Sequence, residues 1–209
     1  MLSPPAEFSS YFHRRARRFA SLYRSEAVTR LLGRGALFDR VNITVELVVA
    51  AGAGRILDVG CGSGPLFAPL AQRGVAVHGI DPAPAMVELA RQEAALYPRL
   101  VSVESGGWEN LDGDGSFDVA VALGVFDYVE KPVEVLRAMG RAAPVVIGSF
   151  PSPGVRLALR RFRYGLRGVR VHGYPRAGLD VLARQSGFEV VVARRLGRAG
   201  HLVQFRRAG

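Results

Sequence analysis

A doubly wound α/β fold around a mostly parallel, seven-stranded sheet is predicted by three features of this sequence. Short apolar runs alternate with amphipathic stretches from Arg55 onward. A glycine-rich turn follows the first of those runs, at Gly60, Gly62 and Gly64. Two further strand-like segments, joined through GRAG at 197–200, follow the last amphipathic stretch. Strand–helix alternation implies βαβ units, a sheet covered on both faces, and ligands held at the carboxyl ends of its strands.

Residues 7–33 set Phe8, Phe12, Phe19, Leu22 and Tyr23 periodically among arginines, which predicts one or two extra N-terminal amphipathic helices. ALFDRVNITVELVVAA, at 36–51, predicts a helix stopped by Gly52. RILDV, VAVHGID, LVSVE, FDVAVAL and PVVIGSF read as strands. PLFAPLAQRG, PAPAMVELARQEAAL and KPVEVLRAMGRA read as the helices between them. Residues 154–170 form a basic amphipathic stretch, and YPRAGLDVLARQSG a helix halted by Gly187. FEVVVARRL and HLVQFRR then predict an antiparallel pair that ends the sheet. One domain over 1–209 is expected, with a helical N-terminal cover at 1–52. A cofactor-binding core at 53–150 and a substrate-side helix with closing strands at 151–209 complete it.

With 49% apolar and 22% charged residues, the chain has a core to bury, which excludes wholesale disorder. The one cysteine, Cys61, excludes an internal disulfide framework and a Cys-cluster zinc site. No His, Asp and Glu constellation suggests another metal either, so none is expected. No apolar run approaches the roughly 20 residues that span a bilayer, and the N-terminal stretch lacks a signal-peptide core. A soluble, cytoplasmic protein is the expectation. The net charge of +10 is unevenly spread: residues 154–209 hold 13 arginines against Asp180 and Glu189. Residues 56–153 are net acidic. Such polarity steers an anionic partner toward one face; a compositional bias, 27 arginines against the single Lys131, accounts for the same numbers.

RILDVGCGSGP, at 55–65, carries the chemistry. An apolar strand runs into Asp58, then glycines stand at alternate positions before Pro65, which suits a first helical turn. Glycines let the backbone turn sharply and approach a ligand closely. A dinucleotide fold requires G-x-G-x-x-G, whereas the spacing here is G-x-G-x-G. An acid before the glycines sits poorly beside pyrophosphate and suits a ligand with a cationic amino group. Asp81 ends the next strand 23 residues later, where a carboxylate accepts hydrogen bonds from ribose hydroxyls.

LDVGCGSG, followed by GIDPAPAMVELAR and FDVAVALGVFDYV, resembles the class I S-adenosylmethionine-dependent methyltransferases, whose fold is Rossmann-like. The resemblance covers roughly residues 50–150 directly. It implies S-adenosylmethionine as cofactor, with Asp58, Gly60, Cys61, Gly62 and Gly64 forming the loop around the methionine moiety. It also implies that Asp81 binds ribose, with Pro82 and Met86 packed near the ribose or adenine. Where the family often has an acid that reaches adenine, this chain has Gly107 followed by Trp108, which leaves adenine to backbone groups and the indole. Leu123, Gly124 and Asp127 fall where the family lines the methyl end. The N-terminal segment looks like the covers of small-molecule methyltransferases, and a more distant likeness is to porphyrin-carboxylate methyltransferases.

Asp127, Tyr128 and His172 are the candidate catalytic groups, each able to orient or deprotonate an acceptor. Packing is the competing role for Tyr128 and Trp108, and a helix start for Asp127. Asp81 competes as a plain cap before Pro82, and Cys61 reads better as a small buried residue than as a nucleophile. The expected activity is methyl transfer to oxygen or nitrogen of a small acceptor, with an anionic group matched by the arginines at 156–170. Two alternatives stand beside it: an RNA methyltransferase using the basic ends, or a non-catalytic cofactor-binding protein of the same fold. Against RNA, LGVFDYV stands where an N/D-P-P-Y/F motif would.

Overall fold

The structure, a computed structural model, describes residues 35–111, 113 and 115–209. The helices expected within 7–33 lie outside the described residues.

In chain order the elements are α1 (Ala36–Ala50), β1 (Arg55–Val59), α2 (Phe67–Ala71), β2 (Ala76–Asp81), α3 (Pro84–Ala94) and β3 (Val101–Ser105). They continue with a 3-10 turn (Trp108–Asn110), β4 (Val119–Ala122), α4 (Pro132–Ala142) and β5 (Val145–Pro151). After these come α5 (Val155–Gly165), α6 (Arg176–Gln185), β6 (Phe188–Arg195) and β7 (Gly200–Arg207). The seven strands form one sheet in the order β3-β2-β1-β4-β5-β7-β6. Every pairing from β3 to β5 is parallel, while β7 runs antiparallel to both β5 and β6.

Period-two alternation along the central strands divides the core between the two faces. Ile56, Val77, Val119, Val121 and Ile147 pack with α1, α2 and α3 on one side. Leu57, Val59, Ala120, Ala122 and Val146 pack with α4 and α6 on the other. All four residues of β4, VAVA, are buried, as a strand covered on both faces requires. α1 contributes Val41, Val45 and Val48 to this core. Its helix stops at Gly52, which adopts φ +66°. β1 is then anchored at its start by Asp118, whose Oδ2 accepts the N–H groups of Gly54 at 2.8 Å and Arg55 at 2.9 Å.

The expected helix at 65–74 is shorter than its apolar pattern suggests, because the glycine turn runs on through Pro65 and Leu66. The strand order reverses between β1 and β4, so a crevice opens at the carboxyl ends of those two strands. Aromatic packing braces the loop beyond β4. Phe126 stacks on Phe150 at 4.4 Å between ring centroids, and Tyr174 meets Phe150 edge-on at 5.2 Å. The Tyr174 hydroxyl donates to the Phe126 carbonyl at 3.1 Å.

Candidate active site

The crevice is a cleft of about 1990 Å³ among the described residues. Pockets for single drug-sized ligands run to ~300–1,000 Å³, so this one has room for a cofactor and an acceptor together.

Its floor is the turn after β1. Gly60, Gly62 and Gly64 adopt φ of +69°, +58° and +78°. A side chain at Gly60 would also collide with Val125, and one at Gly64 with the Phe67 ring. Both steric space and backbone handedness therefore require glycine there. The Gly60 and Cys61 N–H groups both donate to the Ile80 carbonyl, at 2.8 and 3.0 Å, tying the turn to β2. Cys61 is buried beneath it, and burial pushes its thiol up, so it is no nucleophile.

Asp58 and Asp81 stand at the ends of adjacent strands. Asp81 holds the loop: Oδ2 accepts Gly62 N–H at 2.9 Å and Oδ1 accepts Ala83 N–H at 2.9 Å. Each carboxylate oxygen keeps a second lone pair for a ligand. Burial raises the Asp81 carboxyl, and those two N–H bonds pull it back. Asp58, by contrast, accepts no hydrogen bond among the described residues. Burial, then the neighbouring Asp81 charge, push its carboxyl up to about 7, with the Arg40 cation pulling the other way. A buried carboxylate short of compensation is a site for a cation.

On the β2 side, Pro82 lines the cleft and Met86 is buried with Ala83. Beyond β3, the Gly107 N–H donates to Asn110 Oδ1 at 3.1 Å and closes the 3-10 turn. Trp108 packs against the core and also lines the cleft. Beyond β4, Leu123 and Gly124 line the cleft, and the Gly124 N–H donates to Ser149 Oγ at 2.8 Å.

Asp127 lines the cleft but is not a free base. Arg160 Nη2 donates to its Oδ2 at 2.6 Å, and lies 3.4 Å from the Tyr128 hydroxyl. Burial raises the Asp127 carboxyl while Arg160 pulls it down. Burial, and then the Asp127 charge, also raise the Tyr128 phenol, so it keeps its proton. His172 is elsewhere. Its backbone N–H donates to the Asp127 carbonyl at 2.7 Å, while its ring lines an adjoining shallow depression with Arg161 and Arg170. Of the residues singled out from sequence, Gly64 and His172 alone do not line the cleft.

Two cleft residues escaped the sequence reading, and a third, Arg160, was read only as part of a basic stretch. Arg40, from α1, sets its guanidinium against Gly124 and acts electrostatically on both Asp58 and Asp127. A signal existed: it is the lone arginine in the helix ALFDRVNITVELVVA. Glu109 follows Trp108 into the lining, with its carboxyl raised by burial. Arg160 was one of several arginines, and nothing in its spacing marked the partner 33 residues away.

This sheet order and crevice, with two carboxylates framing a glycine turn, define the class I methyltransferase fold. Comparison with known proteins agrees. Residues 56–143 match the family model described as "Methyltransferase domain". The ubiquinone biosynthesis O-methyltransferase of Methylocella silvestris is 38% identical over 87 residues, 41% of this chain and 34% of that protein. Its counterpart in Xanthomonas oryzae is 37% identical over 105 residues, covering 49% and 42%. The chain thus matches less than half the length of these relatives. Magnesium protoporphyrin IX methyltransferase from Synechocystis PCC 6803, solved with S-adenosylmethionine, superposes with a TM-score of 0.77. It shares 21% identity, with 100% of this chain and 99% of that one covered. The Burkholderia thailandensis 1,6-didemethyltoxoflavin-N1-methyltransferase gives 0.69 at 19% identity, over 100% and 92%. Residues 56–143 of this chain are thus similar to a methyltransferase domain, and its fold is that of the two solved methyltransferases.

Proposed function

We propose that the whole chain transfers a methyl group from S-adenosylmethionine to an oxygen or nitrogen of a small acceptor. The observation that carries this reading is the Asp58–Asp81 pair across the positive-φ glycine turn. The residues present fit the cofactor. Asp58, buried and short of a partner, suits the amino group of its methionine moiety; Asp81 has lone pairs left for ribose hydroxyls. Trp108 and Met86 offer apolar walls for adenine. When bound, the cofactor supplies an electrophilic methyl on a sulfonium.

What this chain adds is placement. With Asp127 held by Arg160 and Tyr128 protonated, acceleration comes chiefly from alignment and exclusion of water, an effect that reaches roughly 7–11 kcal/mol in well-oriented systems. Arg156 and Arg163 on the cleft wall supply guanidinium forks for an anionic acceptor group. The relatives named for ubiquinone biosynthesis favour oxygen as the atom methylated. A cytoplasmic location accords with one unpaired cysteine.

Calorimetric titration with S-adenosylmethionine and S-adenosylhomocysteine, with NAD as control, tests this directly. Micromolar binding of the first two and none of NAD is expected. NAD binding, or silence from all three, overturns the assignment.

A further inference from the structure

The helix α5 has two apolar-bearing faces, and among the described residues only one of them is covered. Leu157 is buried, and Arg160 and Tyr164 turn inward beside it, so the core face runs along positions 157, 160 and 164. On the opposite face stand Val155, Leu159, Phe162 and Leu166, with exposures of 88%, 58%, 67% and 74%. At 100° per residue these four fall within one narrow stripe. They make up half of the large apolar side chains exposed among the described residues, which otherwise are scattered singly. Nothing in the packing of the domain calls for an apolar stripe on that side.

Charge says what kind of neighbour fits. The segment 154–173, GVRLALRRFRYGLRGVRVHG, contains no acidic residue. Arg156, Arg163 and Arg167 flank the stripe on the cleft side, and all three are exposed. Arg170 follows, paired at 3.1 Å with the exposed Glu130, which is a weak surface bond. An apolar strip bordered by guanidinium groups is the composition of a helix that lies in a lipid interface. There, side chains enter the acyl boundary while cations meet phosphate headgroups. No helix among the described residues is long and apolar enough to cross a membrane, so any attachment through α5 is peripheral.

We propose that α5 docks this protein onto an anionic lipid surface. Phe162 and Leu166 insert, and the exposed Arg167 and Arg170 bind headgroup phosphates. The cleft mouth opens beside the inserted stripe, since Val155 and Leu159 also line the cleft. An acceptor with an apolar tail then passes from lipid to cleft without crossing water. This last consequence rests on the methyltransferase reading; the docking itself does not.

The test is flotation of the intact chain with vesicles of phosphatidylcholine alone or mixed with phosphatidylglycerol, at low and high salt. Binding to the mixed vesicles only, weakened by salt, is expected. The double variant Phe162→Ser/Leu166→Ser faces away from the core and does not line the cleft, so it should fold and bind S-adenosylmethionine unchanged. Its vesicle partition should drop about tenfold or more. No flotation of the parent chain overturns the proposal, as does flotation that the double variant retains. So does a concentration-dependent dimer that the double variant abolishes, which would assign the stripe to a second copy. Cofactor titration of the same samples separates failure of docking from failure of the methyltransferase reading.

Discussion

Asp58 works against the fold that carries it. Its carboxyl, ordinarily near 3.8, is pushed to about 7. The folded chain therefore binds a proton that the unfolded chain has already lost between about pH 4 and 7. Stability falls as pH rises through that window, the reverse of the usual salt-bridged aspartate. Replacing Asp58 with Asn should stabilise the ligand-free protein at neutral pH by ~2–4 kcal/mol in denaturant titration, and abolish cofactor binding. In the parent, cofactor affinity should weaken about tenfold per pH unit below pH 7, because the cationic amino group needs the ionised form. A flat pH profile would remove Asp58 from the site. Asp81→Ala should cost roughly 1.5–3 kcal/mol of binding for each charged hydrogen bond lost. It also frees the Gly62 and Ala83 N–H groups, so the loop should show faster hydrogen exchange. Tyr128→Phe should reduce turnover less than tenfold; a loss of ~10²–10⁴ would instead mark a proton-transferring residue.

Among the elements, α5 is held by the buried Leu157, the Asp127–Arg160 ion pair and the bond from Arg161 Nε to the Val171 carbonyl. Arg160→Ala leaves Asp127 buried beside a missing partner, which typically costs ~3–5 kcal/mol. The expected outcome is local rather than global: proteolysis and hydrogen exchange should rise across Val155–Gly165 while the sheet stays protected. A uniform loss of stability would show that the pair supports the core instead. The sequence disclosed most elements because period-two strands and period-3.6 helices alternate without ambiguity from Arg55 to Arg207. It disclosed the glycine turn after β1 because positive φ at Gly60 and Gly62 leaves a compositional mark. It did not disclose the Asp127–Arg160 bond, since a contact between residues far apart leaves no local pattern. The same blindness kept Arg40 hidden: its role depends on α1 crossing over the end of β4, which no spacing encodes. His172 misled because a histidine in a covering segment looks like a base until its backbone is seen paired to Asp127 with the ring outside the cleft.

For the whole molecule, ligand binding and stability are one quantity. At a hundredfold excess over Kd, S-adenosylhomocysteine should add about 2.7 kcal/mol. For a chain of this size that raises Tm by roughly 5–10 °C, measurable by thermal unfolding, with NAD giving no shift. The charge pattern also takes shape at this scale. The acidic middle of the sequence supplies the carboxylates at the strand ends, and the basic later part supplies the arginine wall facing them, so the cleft is polarised across its width.

The sheet carries one more consequence, which concerns how it is assembled. β6 is made before β7 yet sits outside it, and among the described residues β7 is its only hydrogen-bonded neighbour. While a ribosome has delivered the chain only as far as residue 199, β6 has no partner and β5 has a bare edge. Both edges are covered only once Gly200–Arg207 lies between them. A nascent chain stalled there would expose two open strand edges at once, the condition under which neighbouring copies pair and aggregate. Completion of the sheet thus waits for its last strand, Gly200–Arg207.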